Sequence, residues 1–184
     1  YEISACLVGS EMCIRDRLKE DRLSAEQVAK LLEQKGYLAS KATLAAVLSG
    51  GDVDNACKII ADAGWIQCAE KALDFLCDKV STKTALRYVS AFTQNKDDMP
   101  KIMSALIMFL RESIAYRVAE QRVTLKGYEG QLQAISANYS VESAFHCIAL
   151  IEQSYKRLQN NGNVVVEADN LVVNMLEVKY RCRV

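Results

Sequence analysis

The sequence predicts an all-α protein, and three observations support this. Proline occurs once among the 184 residues, at Pro100. No stretch shows sustained period-two alternation bounded by turns, the pattern typical of strands. Apolar residues recur instead at spacings of three and four, between polar residues suited to capping helices and glycines suited to ending them. We therefore expect several helices of unequal length joined by mostly short loops.

Residues 18–64 are predicted to form a small unit of three short helices. Ser24, with Gln27 three residues later, has the pattern of a capping box. The first helix is predicted to start at Ser24 and end at Gly36, the second to start at Ser40 and end at Gly50–Gly51, and the third to start at Asp52 and end at Gly64. The residues expected to face inward are Val28, Leu31, Leu32, Leu44, Val47, Leu48, Val53, Ala56, Cys57 and Ile60. So small a unit cannot bury a large core alone, so we expect it to pack against a neighbour.

Residues 65–184 are predicted to form a larger bundle of five or six helices. Asp97 and Asp98 precede Met99-Pro100, a favourable first turn because proline needs no amide partner there. The predicted helices span 66–80, Ser81 or Thr82 to Phe92 (with Ala85, Leu86, Tyr88 and Val89 inward), 99–118, 131–137, 142–158 and 167–176. A loop is expected at 125–130, where Gly127 and Gly130 lie. A turn is expected at 159–163, because asparagine and glycine tolerate left-handed backbone.

The first seventeen residues do not fit this helical pattern. They resemble the translated read-through of a sequencing adapter, and we expect residues 1–17 to be foreign to the natural protein. A secretory signal is the rival interpretation, since residues 5–8 are apolar. It fails because the segment lacks a basic leader and its apolar run is too short.

Composition excludes several classes of function. Lys plus Arg and Asp plus Glu both number 23, a neutral balance without the basic excess of an independent DNA-binding domain. No run of about 18 apolar residues occurs, so no membrane span is expected. The seven cysteines are scattered, without a Cys-x-x-Cys pair, at positions 6, 13, 57, 68, 77, 147 and 182. This pattern favours reduced thiols inside helices and a cytoplasmic protein over a zinc site or disulfides.

The sequence contains no convincing catalytic group, and we expect no enzymatic activity and no cofactor. The single histidine, His146, adjoins Cys147, but neighbours in a helix point to different sides and make a poor nucleophile–base pair. No Gly-x-x-x-x-Gly-Lys-Ser/Thr motif occurs, so no phosphate-binding loop of that kind is present.

Two blocks of the chain resemble the clamp-loader subunits of bacterial DNA polymerase III, above all the delta-prime type. Leu23–Leu32 followed by Leu44–Ala56, with its Ser-Gly-Gly turn, is similar to the lid of an AAA+ subunit. In the larger unit, Ala105–Glu112 and the helix pair around Asn163 are similar to the C-terminal collar. The resemblance covers the chain from Leu18 onward. The delta and gamma/tau subunits remain alternatives, as does a free-standing helical adaptor or regulator.

The resemblance implies a non-catalytic role in DNA replication. The collar would hold other clamp-loader subunits, and contact with the sliding clamp and DNA would be indirect, with no role for a membrane. Where related ATPases carry a sensor arginine, this chain has Asp54, which would repel phosphate. Arg111 and Glu112 are adjacent and could form an ion pair at an interface or within the domain, or a pair on the solvated surface. The residues expected at a subunit interface are Phe109, Arg111, Asn163, Leu171 and Met175.

Overall fold

The computed structural model describes residues 23–78 and 82–181. The predictions for residues 1–17, for a cap at Ser81 and for Cys6, Cys13 and Cys182 lie outside these ranges. Within them the protein is all-α, with nine α-helices and no strand, which confirms the predicted fold class. The helices alternate with short connections.

The first three helices are short and share a core. They are α1 (Ala25–Gln34), α2 (Ala39–Ser49) and α3 (Val53–Ala61). The predicted capping box is confirmed: Ser24 Oγ accepts a hydrogen bond from Gln27 N at 3.3 Å, and Gln27 Oε1 accepts one from Ser24 N at 2.9 Å. The buried residues of this core are Val28, Ala29, Leu32, Ala42, Ala45, Ala46, Ala56, Ile59 and Ile60. We call α1–α3 the three-helix unit.

Three local predictions for this unit are wrong. Helix α2 begins at Ala39, so Ser40 lies inside the helix and Leu38 is the N-cap residue. Gly64 does not close α3, because Asp62 accepts a hydrogen bond from Gly64 N at 2.9 Å and starts the next helix there. Leu31, expected to face inward, is 38% exposed. Gly50 does end α2, in the left-handed conformation with φ 63°.

The remaining helices form a larger bundle around a second core. They are α4 (Ala63–Cys77), α5 (Thr82–Phe92), α6 (Asp98–Val118), α7 (Glu129–Asn138), α8 (Val141–Gln159) and α9 (Val164–Arg181), with a short 3-10 helix at Glu120–Arg122. Helix α6 is central and packs against α4, α7 and α8. Its buried apolar residues are Met99, Ile102, Met103, Ala105, Leu106, Met108, Phe109 and Leu110. We call α4–α9 the bundle.

An aromatic cluster lies on one side of the bundle. The Phe75 ring is 5.1 Å from Tyr88 and 5.6 Å from Phe92, both in edge-on geometry. Tyr88 and Phe92 were expected to face inward, and both are buried. Leu86 was expected there too, but it is 69% exposed. The prediction for Leu86 is wrong because α5 buries the face that carries Ala85, Tyr88 and Phe92.

The three-helix unit packs against the bundle through α2. Leu44 is 3% exposed and belongs to the bundle core, while Leu48 packs against both cores. In the other direction, Trp65 of α4 packs against the core of the three-helix unit. The expectation that the small unit rests on a neighbour is met by these contacts. None of the helices described is both long and apolar enough to span a membrane.

Candidate subunit interface

The turn between α8 and α9 is held by an ion pair. Arg157 Nε donates to Glu167 Oε2 at 2.9 Å, and the Glu167 side chain is only 10% exposed. Gly162 N donates to the Arg157 carbonyl oxygen at 2.9 Å, and Asn161 has φ 63°. The predicted asparagine–glycine turn is therefore present, with Asn161 in the left-handed region. It fixes how α9 returns along α8.

Asn163 begins α9. Its Oδ1 accepts hydrogen bonds from Val165 N at 3.0 Å and Val166 N at 3.4 Å. These are amides of the first turn, which have no partner within the helix, so Asn163 acts as an N-cap. Asn163 is exposed, but its side-chain oxygen is committed to this local role. Its geometry explains the turn without requiring a partner subunit.

Arg111 pairs with a residue that the sequence did not suggest. Arg111 Nη2 lies 3.5 Å from Glu152 Oε1 of α8, and both side chains are more than half exposed. The expected pairing of Arg111 with Glu112 is wrong, because Glu112 points to the loop after α6. There Glu112 accepts from Thr124 N at 2.9 Å, Thr124 Oγ1 at 2.6 Å and Leu125 N at 3.2 Å. Arg111 stays accessible on the bundle surface.

Three residues expected at an interface lie in the interior. Phe109 and Leu171 are 1% exposed and Met175 is 0% exposed. All three belong to the bundle core, and the Phe109 ring is 6.3 Å from the Tyr128 ring. Helix α9, which carries Leu171 and Met175, packs against α8 and α5, and α6, which carries Phe109, packs against α4, α7 and α8. These side chains therefore offer no surface to a partner. For Phe109, Leu171 and Met175 the expected surface role is therefore corrected to a core role.

The exposed apolar residues of α9 lie on a different face. Val166, Val173 and Tyr180 are 54%, 52% and 48% exposed, at intervals of seven residues. In an α-helix a seven-residue step rotates a side chain by only about 20°, so the three form one narrow stripe. We call these three residues the α9 stripe. The spacing 166, 173 and 180 is present in the sequence, but only the packing of α9 shows that this face is the exposed one.

A shallow apolar groove runs along α8 beside the end of α9. Its volume is about 410 Å³, and it is lined by His146, Ala149, Leu150, Gln153 and Val178. Phe145, next to His146, is 57% exposed. The groove and the α9 stripe are two exposed apolar features of α8 and α9.

The described residues do not assemble a reactive site. No group of three or more His, Cys, Asp or Glu side chains in residues 23–78 and 82–181 is arranged to hold a metal ion. His146 is exposed while Cys147 is buried, so the two point apart. Burial raises the pKa of the Cys68 thiol to about 11 and also raises the pKa of Cys77, which makes both poor nucleophiles. Asp54 is exposed in the first turn of α3.

Comparisons with protein-family models, with curated proteins and with solved structures found no match to the chain.

Proposed function

We propose that this chain is the lid and collar of a non-catalytic clamp-loader subunit of the delta-prime type, acting in the cytoplasm during DNA replication. Its task is to hold sister subunits in a ring. One observation carries the proposal. A three-helix unit with its own core precedes a six-helix bundle with a second core, which is the order that the sequence resemblance implies.

The surface of the bundle supports a docking role. The α9 stripe and the α8 groove expose apolar side chains that a neighbouring helical bundle could cover. A stable interface typically buries more than roughly 1,000 Å². The α9 stripe alone is narrow, so an interface of that size would have to extend beyond it onto α8. We therefore place the contact with sister subunits on the outward side of α8 and α9.

Co-purification tests the proposal. The chain is co-expressed with the other clamp-loader subunits of its source, and complexes are separated by size-exclusion chromatography. We expect the chain to elute with them and Val173→Glu to elute alone. Val118→Glu is the matched control, because Val118 is 71% exposed at the end of α6 and away from the α9 stripe. Circular dichroism checks that both variants keep their helices.

The outcomes separate the candidate functions. If the unaltered chain does not enter the complex, the clamp-loader assignment is wrong and a helical adaptor of another class becomes the leading candidate. If both Val173→Glu and Val118→Glu still enter, the subunit is retained but the docking surface is misplaced. If the chain takes the place of the delta or gamma/tau subunit in the complex, and not that of delta-prime, it is a subunit of that other type. We expect ATP hydrolysis by the chain alone to stay at background.

A further inference from the structure

We propose that the three-helix unit swings about Asp62 and the α2 contact, and that the Glu26–Lys126 ion pair latches it against the bundle. The inference concerns movement within the chain and does not depend on the proposed function. It rests on a contrast between one firmly packed side of the unit and one loosely held side.

The firm side contains the junction between α3 and α4. Asp62 alone separates the two helices, as the C-cap of one and the N-cap of the other. Its Oδ2 accepts a hydrogen bond from Lys101 Nζ of α6 at 2.7 Å. A second point of attachment, Leu44 of α2, is buried in the bundle core. A single extended residue tied to α6, together with this apolar contact, has the form of a pivot.

The loose side lies between α1 and residues 124–127, which we call the strap. A cavity of about 180 Å³ separates them, lined by Ala25, Glu26, Ala29, Lys30, Glu33, Thr43, Thr124 and Lys126. Among the residues described, one ion pair spans it, between Glu26 Oε1 and Lys126 Nζ at 2.8 Å, with side chains 58% and 69% exposed. Such an exposed pair is weak and is screened by salt.

The strap itself stays with the bundle. Glu112 of α6 accepts three hydrogen bonds from Thr124 and Leu125, and Leu125 is 0% exposed. At the other end, Gly127 N donates to Glu129 Oε1 at 2.9 Å. The strap is therefore the fixed side of the latch, and α1 is the moving side. Since Val28 and Leu32 tie α1 to its own core, the three-helix unit moves as one body.

The test measures a distance across the latch. Spin labels are attached at Gln34 on α1 and Gln133 on α7, both exposed and outside the cavity, through introduced ketone side chains that leave the cysteines unaltered. Distances are recorded for the intact chain, Glu26→Lys, Lys126→Glu and the double swap. We expect each single variant to raise the longer-distance population roughly two- to fivefold, as loss of one exposed pair implies. The double swap should restore the original distribution.

A control and two outcomes decide the inference. Asp54→Lys makes the same type of charge change at an exposed site on α3, outside the cavity, and it should leave the distances unchanged. High salt should lengthen them in the intact chain. If the single variants show the same distance distribution as the intact chain, the proposal is overturned. It is also overturned if the double swap shows the same distribution as the single variants.

Discussion

Arg157 and Glu167 face each other across the α8–α9 turn, with Nε and Oε2 2.9 Å apart. Glu167 is buried while Arg157 is partly exposed, so the arginine is what makes burial of that carboxylate tolerable. The pair joins the two helices whose outward side we propose as the docking surface.

Removing the arginine should therefore destabilise the protein. We expect Arg157→Ala to lower the free energy of unfolding by roughly 1–3 kcal/mol, because it leaves a buried acceptor without its charged partner. Urea denaturation measures this. Arg111→Ala is the control, since its pair with Glu152 is exposed and should contribute under about 1 kcal/mol. Equal losses in the two variants would show that burial of Glu167 does not matter.

Gly162 should not tolerate a side chain. A Cβ at this position would lie 2.8 Å from the Arg157 carbonyl oxygen, a backbone atom that cannot move cheaply. We expect Gly162→Ala to cost roughly 1–3 kcal/mol through this overlap. Gly130→Ala is the matched control, because a Cβ in that helical position meets nothing within 4 Å. The control should be neutral or stabilising by up to about 1 kcal/mol. Thermal unfolding compares the two variants, and equal melting temperatures would contradict a steric overlap at Gly162.

Leu44 should couple the two cores. We expect Leu44→Ala to lower the free energy of unfolding by roughly 2–5 kcal/mol, the range for emptying a buried leucine site. Because the lost contact lies between the three-helix unit and the bundle, hydrogen exchange should rise first in α1–α3. Leu86→Ala changes the same residue type at a site that is 69% exposed, and it should stay within about 0.5 kcal/mol of the parent. Uniform exchange across all helices would argue against a coupling role.

Cys68 should make stability depend on alkaline pH. Burial raises the pKa of this thiol from 9.0 to about 11, so the folded state favours the neutral form. The contribution of the neutral Cys68 thiol to the free energy of unfolding is complete below pH 9. It is lost as the pH rises towards 11, because the thiol ionises at lower pH in the unfolded state than in the folded state. We expect the stability of the parent relative to Cys68→Ala to fall by roughly 1 kcal/mol between pH 9 and pH 10. A difference that stays constant over this range would contradict the burial effect.

Helix starts and ends were largely predictable from sequence. Ser24 and Asp52 each cap a helix as expected, and Gly50 ends one. These signals depend on hydrogen bonds between residues two to four positions apart, so the local sequence contains most of the information about where a helix starts or ends. The error at Gly64 arose where Asp62 serves two helices at once, which a pattern for a single helix end does not anticipate.

The candidate interface was less predictable. The collar resemblance implies an interface at Phe109, Leu171 and Met175, but the tertiary packing buries them. The sequence does not say which of two apolar faces on a helix meets another helix, since both satisfy the same spacing. The exposed α9 stripe became visible only once the opposite face of α9 was seen against α5 and α8.

By itself, the sequence determined that this protein is helical and where most helices begin, because propensity and capping act over a few residues. Only the tertiary structure decided that Arg111 meets Glu152 while Glu112 holds the strap. Adjacent residues on a helix point in different directions, and their partners come from segments distant in the chain. That choice depends on how whole helices pack, which no local pattern contains.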